Sequence, residues 1–478
     1  MPPKIRFWIS LIVGATTMYG VETARAINLP NDSEIRVLLS ERIKALGAER
    51  GGVGIVVGVI GPEGRRIISA GQRSVDGPHV PDGDTVFEIG SITKAFTALL
   101  LVEMAEKNEL ALNDPVTKYL PNAFKVPTRN GKAISLLDLA THMSGLPFMP
   151  NESAVSSDSE ANKFSVADLR HFIGNCELHS DIGAKWEYSN IGYWLLSEAL
   201  AGRGGVNYET LVHKRVIAPL NLTNTAFALT PKMKTNFAVG HNAVLQASPA
   251  ISTLPIYSIM PAAGGLYSTA NDLLKLLAVA MDYDRSSLDR AMRLTWNTRR
   301  PMSRDGFEQA LAWTVIRDEN DLLLVHDGGT FGYASSIAWD PARRAGVVVL
   351  SNQVANVADI ARHLLRPKFQ LEKPIATKRT EVTLNPATFD TYVGNYEAVE
   401  EGIFEIGRED DSLTIRSPAE WGLPKFRLHP ESRQDFFVAE LPMRVAFQLE
   451  SGGSVKKMLV YPPRGQRAIA TVRLTDMR

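Results

Sequence analysis

Residues 87–108 read FEIGSITKAFTALLLVEMAEKN, a nearly uninterrupted apolar run with a serine and a lysine close to its start. The pattern predicts a helix that is apolar on almost every face, which is typical of a helix buried in a core. Ser91 and Lys94 lie three residues apart, so on a helix they share one face. A lysine in a core is costly unless it has a partner or a chemical task. The pair is therefore the first candidate for a functional site.

The spacing of the pair suits nucleophilic catalysis. A serine hydroxyl is a weak nucleophile until a base accepts its proton, and Lys94 can reach Ser91 from the next turn. A helix N-terminus also offers backbone N–H groups where an oxyanion develops, and the spacing matches the S-x-x-K nucleophile motif. The same spacing recurs at Ser454 and Lys457 in a β-rich region. We interpret that copy as a chance match, because only the Ser91 copy opens a long buried helix.

Two further motifs follow along the chain. A Tyr-Ser-Asn sequence begins at Tyr188 immediately before an apolar helix, and no other Tyr-x-Asn occurs. A His-Asp-Gly sequence begins at His326 at the end of an apolar strand, and no other lysine or histidine is followed two places later by glycine. Taken singly, Tyr188 could be a core aromatic residue and His326 a turn residue beside glycines. Asp327, next to His326, is interpreted as a turn residue. Three rare motifs in this order, each on a suitable element, predict one catalytic site.

The surrounding patterns predict an α+β fold. Two β-rich runs joined by residues 61–64, Gly-Pro-Glu-Gly, predict a hairpin. Helical patterns dominate residues 93–280, and four short strands follow, of which LAWTVIRD is the first and AGVVVLSN the last. Strands at both ends with helices between them favour an antiparallel sheet flanked by helices with a helical region. The absence of a β-α-β alternation disfavours a doubly wound parallel sheet.

The pattern changes again towards the C-terminus. Residues 371–385 are charged, contain proline and show weak periodicity, as is typical of a linker. Eight short strand patterns follow within residues 386–478, which predicts a small all-β barrel or sandwich. We therefore expect a large domain that carries the candidate catalytic motifs at residues 27–370, a linker at residues 371–385, and a C-terminal β domain at residues 386–478.

Composition and charge exclude several classes of protein. Lys+Arg and Asp+Glu both number 52 among 478 residues, so the net charge is zero. This balance argues against a general nucleic-acid-binding protein and against a polybasic membrane-surface protein. No spacing typical of a metal site occurs among the histidines and acidic residues, so we expect no metal and no cofactor. The single cysteine, Cys176, lies in a helical pattern and is interpreted as a small buried residue rather than a nucleophile.

The N-terminus predicts export. Lys4 and Arg6 precede an apolar stretch at residues 7–18, and residues 24–26 form the small-residue pattern Ala-Arg-Ala. These features describe a secretory signal peptide at residues 1–26, and the apolar stretch is shorter than the roughly 20 residues of a spanning helix. An uncleaved membrane anchor is the alternative. We expect an exported protein, periplasmic or secreted, without an integral membrane segment after signal removal.

With these motifs, the sequence resembles the serine β-lactamase and penicillin-binding hydrolase superfamily, in the branch of class C β-lactamases, D-aminopeptidases and D-alanyl-D-alanine carboxypeptidases. The resemblance covers roughly residues 52–365 and rests on FEIGSITKAFTALLL, LNDPVTKYLP, ISLLDLATHMSGLP, YSNIGYWLL, PAAGGLYSTANDLLKLL and HDGGTFGYAS. The stretch VPTRNGKAISLLDLATHMSGLP is similar to the exported carboxypeptidase/endopeptidase members. The C-terminal region resembles, more weakly, the lipocalin-like modules appended to many such hydrolases.

The resemblance implies a catalytic role for three residues. Ser91 would be the acylated nucleophile, and Lys94 would accept its proton or keep the phenol of Tyr188 acidic. Tyr188 would act as general acid and base, first towards the leaving group and then towards water. Whether Lys94 or Tyr188 is the acylation base is disputed across the superfamily and stays open here.

The resemblance also implies how the substrate is bound. Asn190 would position the catalytic lysine and the substrate amide, and His326 and Gly328 would face the substrate from an edge strand. The backbone N–H groups of Ser91 and Gly329 would form the oxyanion hole.

Residue His326 departs from the lysine that many β-lactamases and carboxypeptidases have at this place. Lysine is cationic near neutral pH and suits a substrate carboxylate, whereas histidine titrates nearby. Histidine here resembles the D-aminopeptidase, esterase and related peptidase members. We therefore predict weak or absent turnover of β-lactams that carry a carboxylate.

Together these observations predict an exported serine hydrolase that acts on amides or esters of D-amino-acid peptides, on peptidoglycan fragments or on small acyl esters. A β-lactamase and a carboxylesterase are the enzymatic alternatives, and a catalytically silent penicillin-binding or scaffold protein is the non-enzymatic one. The intact set of Ser91, Lys94 and Tyr188 argues against a silent protein. Cell-wall material is a candidate partner of the β domain, which could instead reach over the active-site cleft. His142, in THMSGLP, is interpreted as a structural turn residue.

Overall fold

A computed structural model describes most of the chain. The described residues are 29–48, 51–75, 79–150, 165–250, 253, 258–318, 321–372, 379–399, 401–418, 421, 423–450, 453–462 and 468–474. The predicted signal peptide, residues 1–26, lies outside them, and the predicted linker is described only at 371–372 and 379–385. None of the helices within these ranges combines the length and the apolar character that crossing a bilayer requires.

The larger part of the fold is built on an eight-stranded sheet in which every neighbouring pair is antiparallel, in the order β2-β1-β12-β11-β10-β9-β8-β7. Its strands are β1 (Gly54–Gly61), β2 (Gly64–Gly71), β7 (Arg299–Pro301), β8 (Phe307–Ala310), β9 (Thr314–Asp318), β10 (Asp321–Gly329), β11 (Ala334–Asp340) and β12 (Ala345–Ser351). Two small ribbons pair β3 (Phe87–Glu88) with β6 (Tyr267–Ser268), and β4 (Thr128–Arg129) with β5 (Lys132–Ala133). The predicted antiparallel sheet is confirmed, while the short strands β7 and β8 were not predicted.

Helices cover both faces of this sheet. They are α1 (Asp32–Ala45), α2 (Thr93–Glu106), α3 (Leu136–Ala140), α4 (Val166–Asn175), α5 (Asn190–Gly204), α6 (Tyr208–Val212), α7 (Pro231–Thr235), α8 (Pro261–Gly264), α9 (Ala270–Ala280), α10 (Asp289–Asn297) and α11 (Ala358–Leu365). Residues alternate between the two sides of a strand: Val56 and Ile60 of β1 join the core formed with α2 and α5, whereas Val57 joins the core formed with α1 and α11. The predicted flanking helices and helical region are thus confirmed.

Eight strands near the C-terminus form a closed antiparallel barrel. They are β13 (Gly394–Ala398), β14 (Gly402–Glu409), β15 (Ser412–Arg416), β16 (Phe426–Pro430), β17 (Asp435–Phe437), β18 (Arg444–Leu449), β19 (Val455–Tyr461) and β20 (Ile469–Arg473). The barrel closes where Glu397 pairs with Val472, and aromatic rings such as Phe404, Phe436 and Phe447 fill its interior. Between the two predicted alternatives, barrel and sandwich, the barrel is correct.

The barrel touches the larger part of the chain close to the end of β10. Phe331, in the turn from β10 to β11, packs against the aromatic cluster of the barrel. The backbone N–H of Ala243 donates a 3.0 Å hydrogen bond to the carbonyl of Ala439 in the barrel. These contacts connect the barrel to the turn that follows the predicted site strand.

Candidate active site

Ser91 lies in a tight turn rather than in the helix itself. Strand β3 leads into a 3₁₀ turn at Gly90–Ile92, and α2 begins only at Thr93, so the predicted helix over residues 87–108 starts later than expected. The helix cannot extend back through Gly90, because its φ of +49° is outside the right-handed helical range and is costly for any residue with a side chain. Ser91 is half-buried, so its hydroxyl stands at the boundary between the core and solvent.

Strand β10 lies against this turn at unusually short range. A Cβ atom on Gly90 would lie 2.7 Å from the backbone nitrogen of Gly329, and one on Gly328 would lie 2.1 Å from the carbonyl oxygen of Ile89. Neither position therefore has room for a side chain. The close approach brings the backbone of Gly329 against Gly90, the residue that precedes Ser91.

Lys94 is fully buried and connects three parts of the chain. Its Nζ lies 3.1 Å from Ser91 Oγ, 2.7 Å from Asn190 Oδ1 and 2.5 Å from the carbonyl oxygen of Ala263 in α8. Burial lowers the pKa of Lys94 well below the ordinary lysine value of 10.5, because the charged form loses its hydration. An amine with a lowered pKa, in hydrogen-bond contact with a serine hydroxyl, is equipped to exchange a proton with it.

The Tyr-Ser-Asn motif forms the start of α5, as predicted. Ser189 caps the helix by accepting a hydrogen bond from the N–H of Gly192 at 2.9 Å, and its hydroxyl donates to the carbonyl of Pro147. The N–H of Asn190 donates to the carbonyl of Phe148 at 2.9 Å. The cap and these loop contacts fix Asn190 so that its side-chain oxygen can accept from Lys94.

The ring of Tyr188 lies beside the lysine. Lys94 Nζ is 4.8 Å from the ring centroid, a distance typical of a cation–π contact. The ring of His142 lies 4.3 Å away with its plane tilted by 30°, and the ring of Phe148 lies 5.8 Å away. Tyr188 is half-buried, so these rings pack against a side chain that keeps partial exposure to solvent.

His326 lies on β10, buried, with its Nδ1 in a short hydrogen bond to the carbonyl of Ala312. Burial lowers the pKa of this histidine to about 4; the charge of Lys94 lowers it further, whereas the carbonyl of Ala312, the carboxylate of Asp327 and the backbone of Ser91 oppose the shift. The ring is therefore neutral near pH 7.

The surroundings of His326 differ from the prediction in two respects. Strand β10 is inside the sheet rather than at its edge, but β9 pairs with it only as far as Val325, so the segment from His326 to Gly329 is open on that side. Asp327 belongs to the strand and not to a turn. Its carboxylate accepts a 2.8 Å hydrogen bond from Ser336 Oγ and pairs with Arg362 of α11.

Several contacts of the site could not be found from sequence motifs. The carbonyls of Ala263 and Ala312 act through backbone atoms, which leave no trace in residue type. His142 was interpreted as a structural turn residue, yet it lies against Tyr188. His142 has a positive φ. The only sign of it in the sequence is the position of His142 between a helical pattern and the Ser-Gly pair at residues 144–145.

The second S-x-x-K copy and Cys176, which the sequence analysis also considered, lie away from this site. The second S-x-x-K copy is on the barrel, where the hydroxyl of Ser454 donates to Glu450 at 3.1 Å. Cys176 follows the end of α4 and is half-buried against the core rather than fully buried, and burial raises its thiol pKa to about 11. Within the residues that the structure describes, no cluster of three or more His, Cys, Asp or Glu side chains is arranged to hold a metal ion.

Comparison with known proteins gives a consistent result. The family model described as Beta-lactamase matches residues 39–367. The D-alanyl-D-alanine-carboxypeptidase/endopeptidase AmpH of Escherichia coli is 26% identical over 314 residues, which cover 63% of this chain and 79% of AmpH. A class C β-lactamase from Rhodobacter sphaeroides superposes with a TM-score of 0.58 at 24% identity over 69% of this chain and 97% of its own. A β-lactamase/D-alanine carboxypeptidase from Yersinia pestis, complexed with citrate, gives 0.55 at 23% identity over 69% and 94%. These two structures support the fold.

Proposed function

The chain belongs to the beta-lactamase family and is a serine hydrolase of the β-lactamase-related type, and we propose that it works through an acyl-enzyme on Ser91. The proposed substrates are amides or esters of D-amino-acid peptides, including peptidoglycan fragments, and small acyl esters. The proposed location is outside the cytoplasm, periplasmic or secreted, as the N-terminal sequence predicts.

One observation carries the proposal: the buried amine of Lys94 lies 3.1 Å from Ser91 Oγ. Its two other partners, Asn190 Oδ1 and the carbonyl of Ala263, are acceptors that orient it. Because burial lowers the pKa of Lys94, a larger fraction of this amine is neutral near pH 7 than of an exposed lysine, and only the neutral amine can accept the serine proton.

The proposed reaction has two steps. Ser91 Oγ attacks the substrate carbonyl while its proton passes to Lys94 or to the Tyr188 phenolate, and the N–H groups of Ser91 and Gly329 stabilise the oxyanion. When the intermediate collapses, the bond to the leaving amine or alcohol breaks and the Tyr188 phenol protonates that group. If Lys94 took the serine proton, it then passes this proton to the Tyr188 phenolate. Water then attacks the ester on Ser91 and gives up a proton to Tyr188. When the ester bond breaks, Ser91 Oγ takes that proton back and the acid is released.

The neutral ring of His326 affects which class of substrate the site favours. A cationic residue at this place would attract a carboxylate, as in penicillins and cephalosporins, and the lowered pKa of His326 removes that attraction near pH 7. We therefore favour D-amino-acid peptide or ester substrates and rank β-lactamase activity second. The name of AmpH, a carboxypeptidase and endopeptidase for D-alanyl-D-alanine bonds, supports a peptide substrate. A carboxylesterase is a further alternative.

The test is the intact mass of the wild-type protein and of Ser91→Ala after exposure to a penicillin, with the fate of the drug followed in parallel. A lasting adduct on the wild type alone supports Ser91 as nucleophile and a penicillin-recognising peptidase. Hydrolysed drug without an adduct supports the β-lactamase alternative. If neither occurs, D-alanyl amides and short acyl esters are assayed next. Turnover of any of these by Ser91→Ala at the wild-type rate would contradict the proposal.

A further inference from the structure

His142 holds the turn that carries Tyr188 at two points. Its carbonyl oxygen accepts a hydrogen bond from the N–H of Glu187 at 2.8 Å, and its ring Nδ1 accepts one from the N–H of Ser189 at 3.1 Å. These are the residues immediately before and after Tyr188. The His142 ring also covers one face of the phenol ring, with centroids 4.3 Å apart. A single residue thus fixes both flanks of Tyr188 and the face of its ring.

The backbone of His142 is in an unusual conformation for this purpose. Its φ of +56° lies in the left-handed region, which only a few per cent of non-glycine residues adopt, with asparagine, aspartate and histidine the most frequent among them. Such a conformation persists when the surroundings over-determine it. Here the next residue, Met143, donates its N–H to the carbonyl of Asp138 at 2.8 Å and accepts from the N–H of Gly183 at 2.7 Å. The turn directs both the carbonyl and the ring of His142 at residues 187–189.

The contact with Ser189 also defines the state of the imidazole. Because Nδ1 accepts from a backbone N–H, it carries a lone pair, and the proton of the neutral ring is on Nε2. Burial lowers the pKa of His142 well below 6.5, and the charges of Lys94 and His326 act in the same direction. Nε2 is buried without a hydrogen-bond partner among the described residues. An apolar ring would fill the same space without that unpaired donor, so packing alone does not account for a histidine.

We propose that His142 is a positioning residue for Tyr188, holding the phenol in its place beside Lys94 through the Nδ1 contact and the stacked ring. The inference rests on the proposed function, in which Tyr188 transfers the proton to the leaving group. It assigns to His142 no contact with substrate. Its effect on the reaction is through the placement of Tyr188, and a misplacement of about 1 Å can cost on the order of 100-fold in rate.

Two substitutions separate the acceptor from the ring. His142→Phe keeps a flat ring of similar size but has no acceptor. His142→Asn loses the ring but places an oxygen near Nδ1, and asparagine tolerates a positive φ. His363→Asn is the matched control, since that half-buried histidine lies on α11 and its Nδ1 hydrogen-bonds the backbone carbonyl of Phe369 at 2.8 Å. For each variant the pre-steady-state rate of acylation by D-alanine p-nitroanilide, whose leaving amine must be protonated, the KM and the melting temperature are measured.

We expect His142→Phe to be acylated about 100-fold more slowly with KM within about threefold of the wild type. His142→Asn should recover roughly tenfold of that loss, although it lacks the ring, and His363→Asn should react at the wild-type rate. Wild-type acylation of His142→Phe overturns the proposal. So does an equal loss in the Phe and Asn variants that follows their melting temperatures, because that result indicates packing alone.

A measurement that needs no activity separates this inference from the proposed function. In Ser91→Ala protein, nitrogen-15 NMR of the histidine rings should show Nδ1 of His142 unprotonated from about pH 6.5 to pH 8, with the signal assigned by its loss in His142→Asn. A protonated Nδ1 in that range overturns the role of His142 whether or not the wild type is acylated. Failure of the wild type to be acylated by any substrate, with the expected NMR result, instead counts against the proposed function.

Discussion

Replacing Lys94 with methionine should slow acylation about 10³-fold and remove the part of the pH-dependent stability that Lys94 contributes. Lys94 is fully buried, and burial lowers its pKa well below the value near 10.5 that it has in the unfolded chain. Between the two pKa values the unfolded chain binds one proton more than the folded protein. The free energy of unfolding of the wild type therefore rises with pH, by up to about 1.4 kcal/mol per pH unit from this group.

Lys94→Met removes this contribution and leaves two acceptors, Asn190 Oδ1 and the carbonyl of Ala263, without their donor. Each lost contact costs about 1–3 kcal/mol, but that cost is the same at every pH. The slope is therefore more informative than the absolute stability. We expect the free energy of unfolding of the variant to rise less steeply than that of the wild type, by about 1.4 kcal/mol per pH unit, and its acylation rate to fall about 10³-fold.

Urea unfolding at several pH values between about 7 and 9.5 measures the slope, and intact mass measures acylation. Lys457→Met makes the same side-chain change at the second S-x-x-K copy on the barrel, and should keep the wild-type slope and the wild-type acylation rate. Identical slopes in Lys94→Met and the wild type would refute a buried lysine with a lowered pKa. An acylation rate within tenfold of the wild type would remove Lys94 from the mechanism.

Three further substitutions test other parts of the site. Gly90→Ala should lower the free energy of unfolding by about 2 kcal/mol, because its Cβ would meet Gly329 N at 2.7 Å and φ is +49°. The same substitution should slow acylation. An unchanged melting temperature and acylation rate would contradict the close packing of β10 on the turn. His326→Lys should raise kcat/KM for a carboxylate-bearing cephalosporin about tenfold, the value of one charge-assisted hydrogen bond, and a folded variant without any gain would show that the carboxylate is bound elsewhere. Phe331→Ala should lower the free energy of unfolding by about 2 kcal/mol and speed proteolysis between the barrel and the rest of the chain, whereas wild-type protease resistance would show that this contact does not hold the barrel.

How far the site could be predicted depended on whether side chains or backbone atoms form it. Spacing placed Ser91 beside Lys94, and the order of rare motifs brought Asn190 and His326 into the same site. The carbonyls of Ala263 and Ala312 come from residues of no distinctive type, and their partners are set by the tertiary fold. His142 shows the same limit, because its importance lies in a turn geometry that residue type does not encode.

The fold shows a similar division. The recurrence of short strand patterns separated by turns predicted all eight strands of the barrel, but closure depends on the pairing of β13 with β20, which a local pattern cannot reveal. The buried run at residues 87–108 predicted α2, yet not the turn before it, because the positive φ of Gly90 and its close contact with β10 belong to the tertiary fold. Strands β7 and β8 are short and only partly buried, so their pattern was too weak to predict.

The most direct measurement is the identity of the residue that becomes covalently acylated. The wild type, Ser91→Ala and Lys94→Met are treated with an activated acyl ester, digested, and the labelled peptide is sequenced by mass spectrometry. We predict label on Ser91 alone in the wild type, none in Ser91→Ala, and a rate reduced about 10³-fold in Lys94→Met. Label on any other serine, or equal labelling of Ser91→Ala, would contradict an acyl-enzyme at this site.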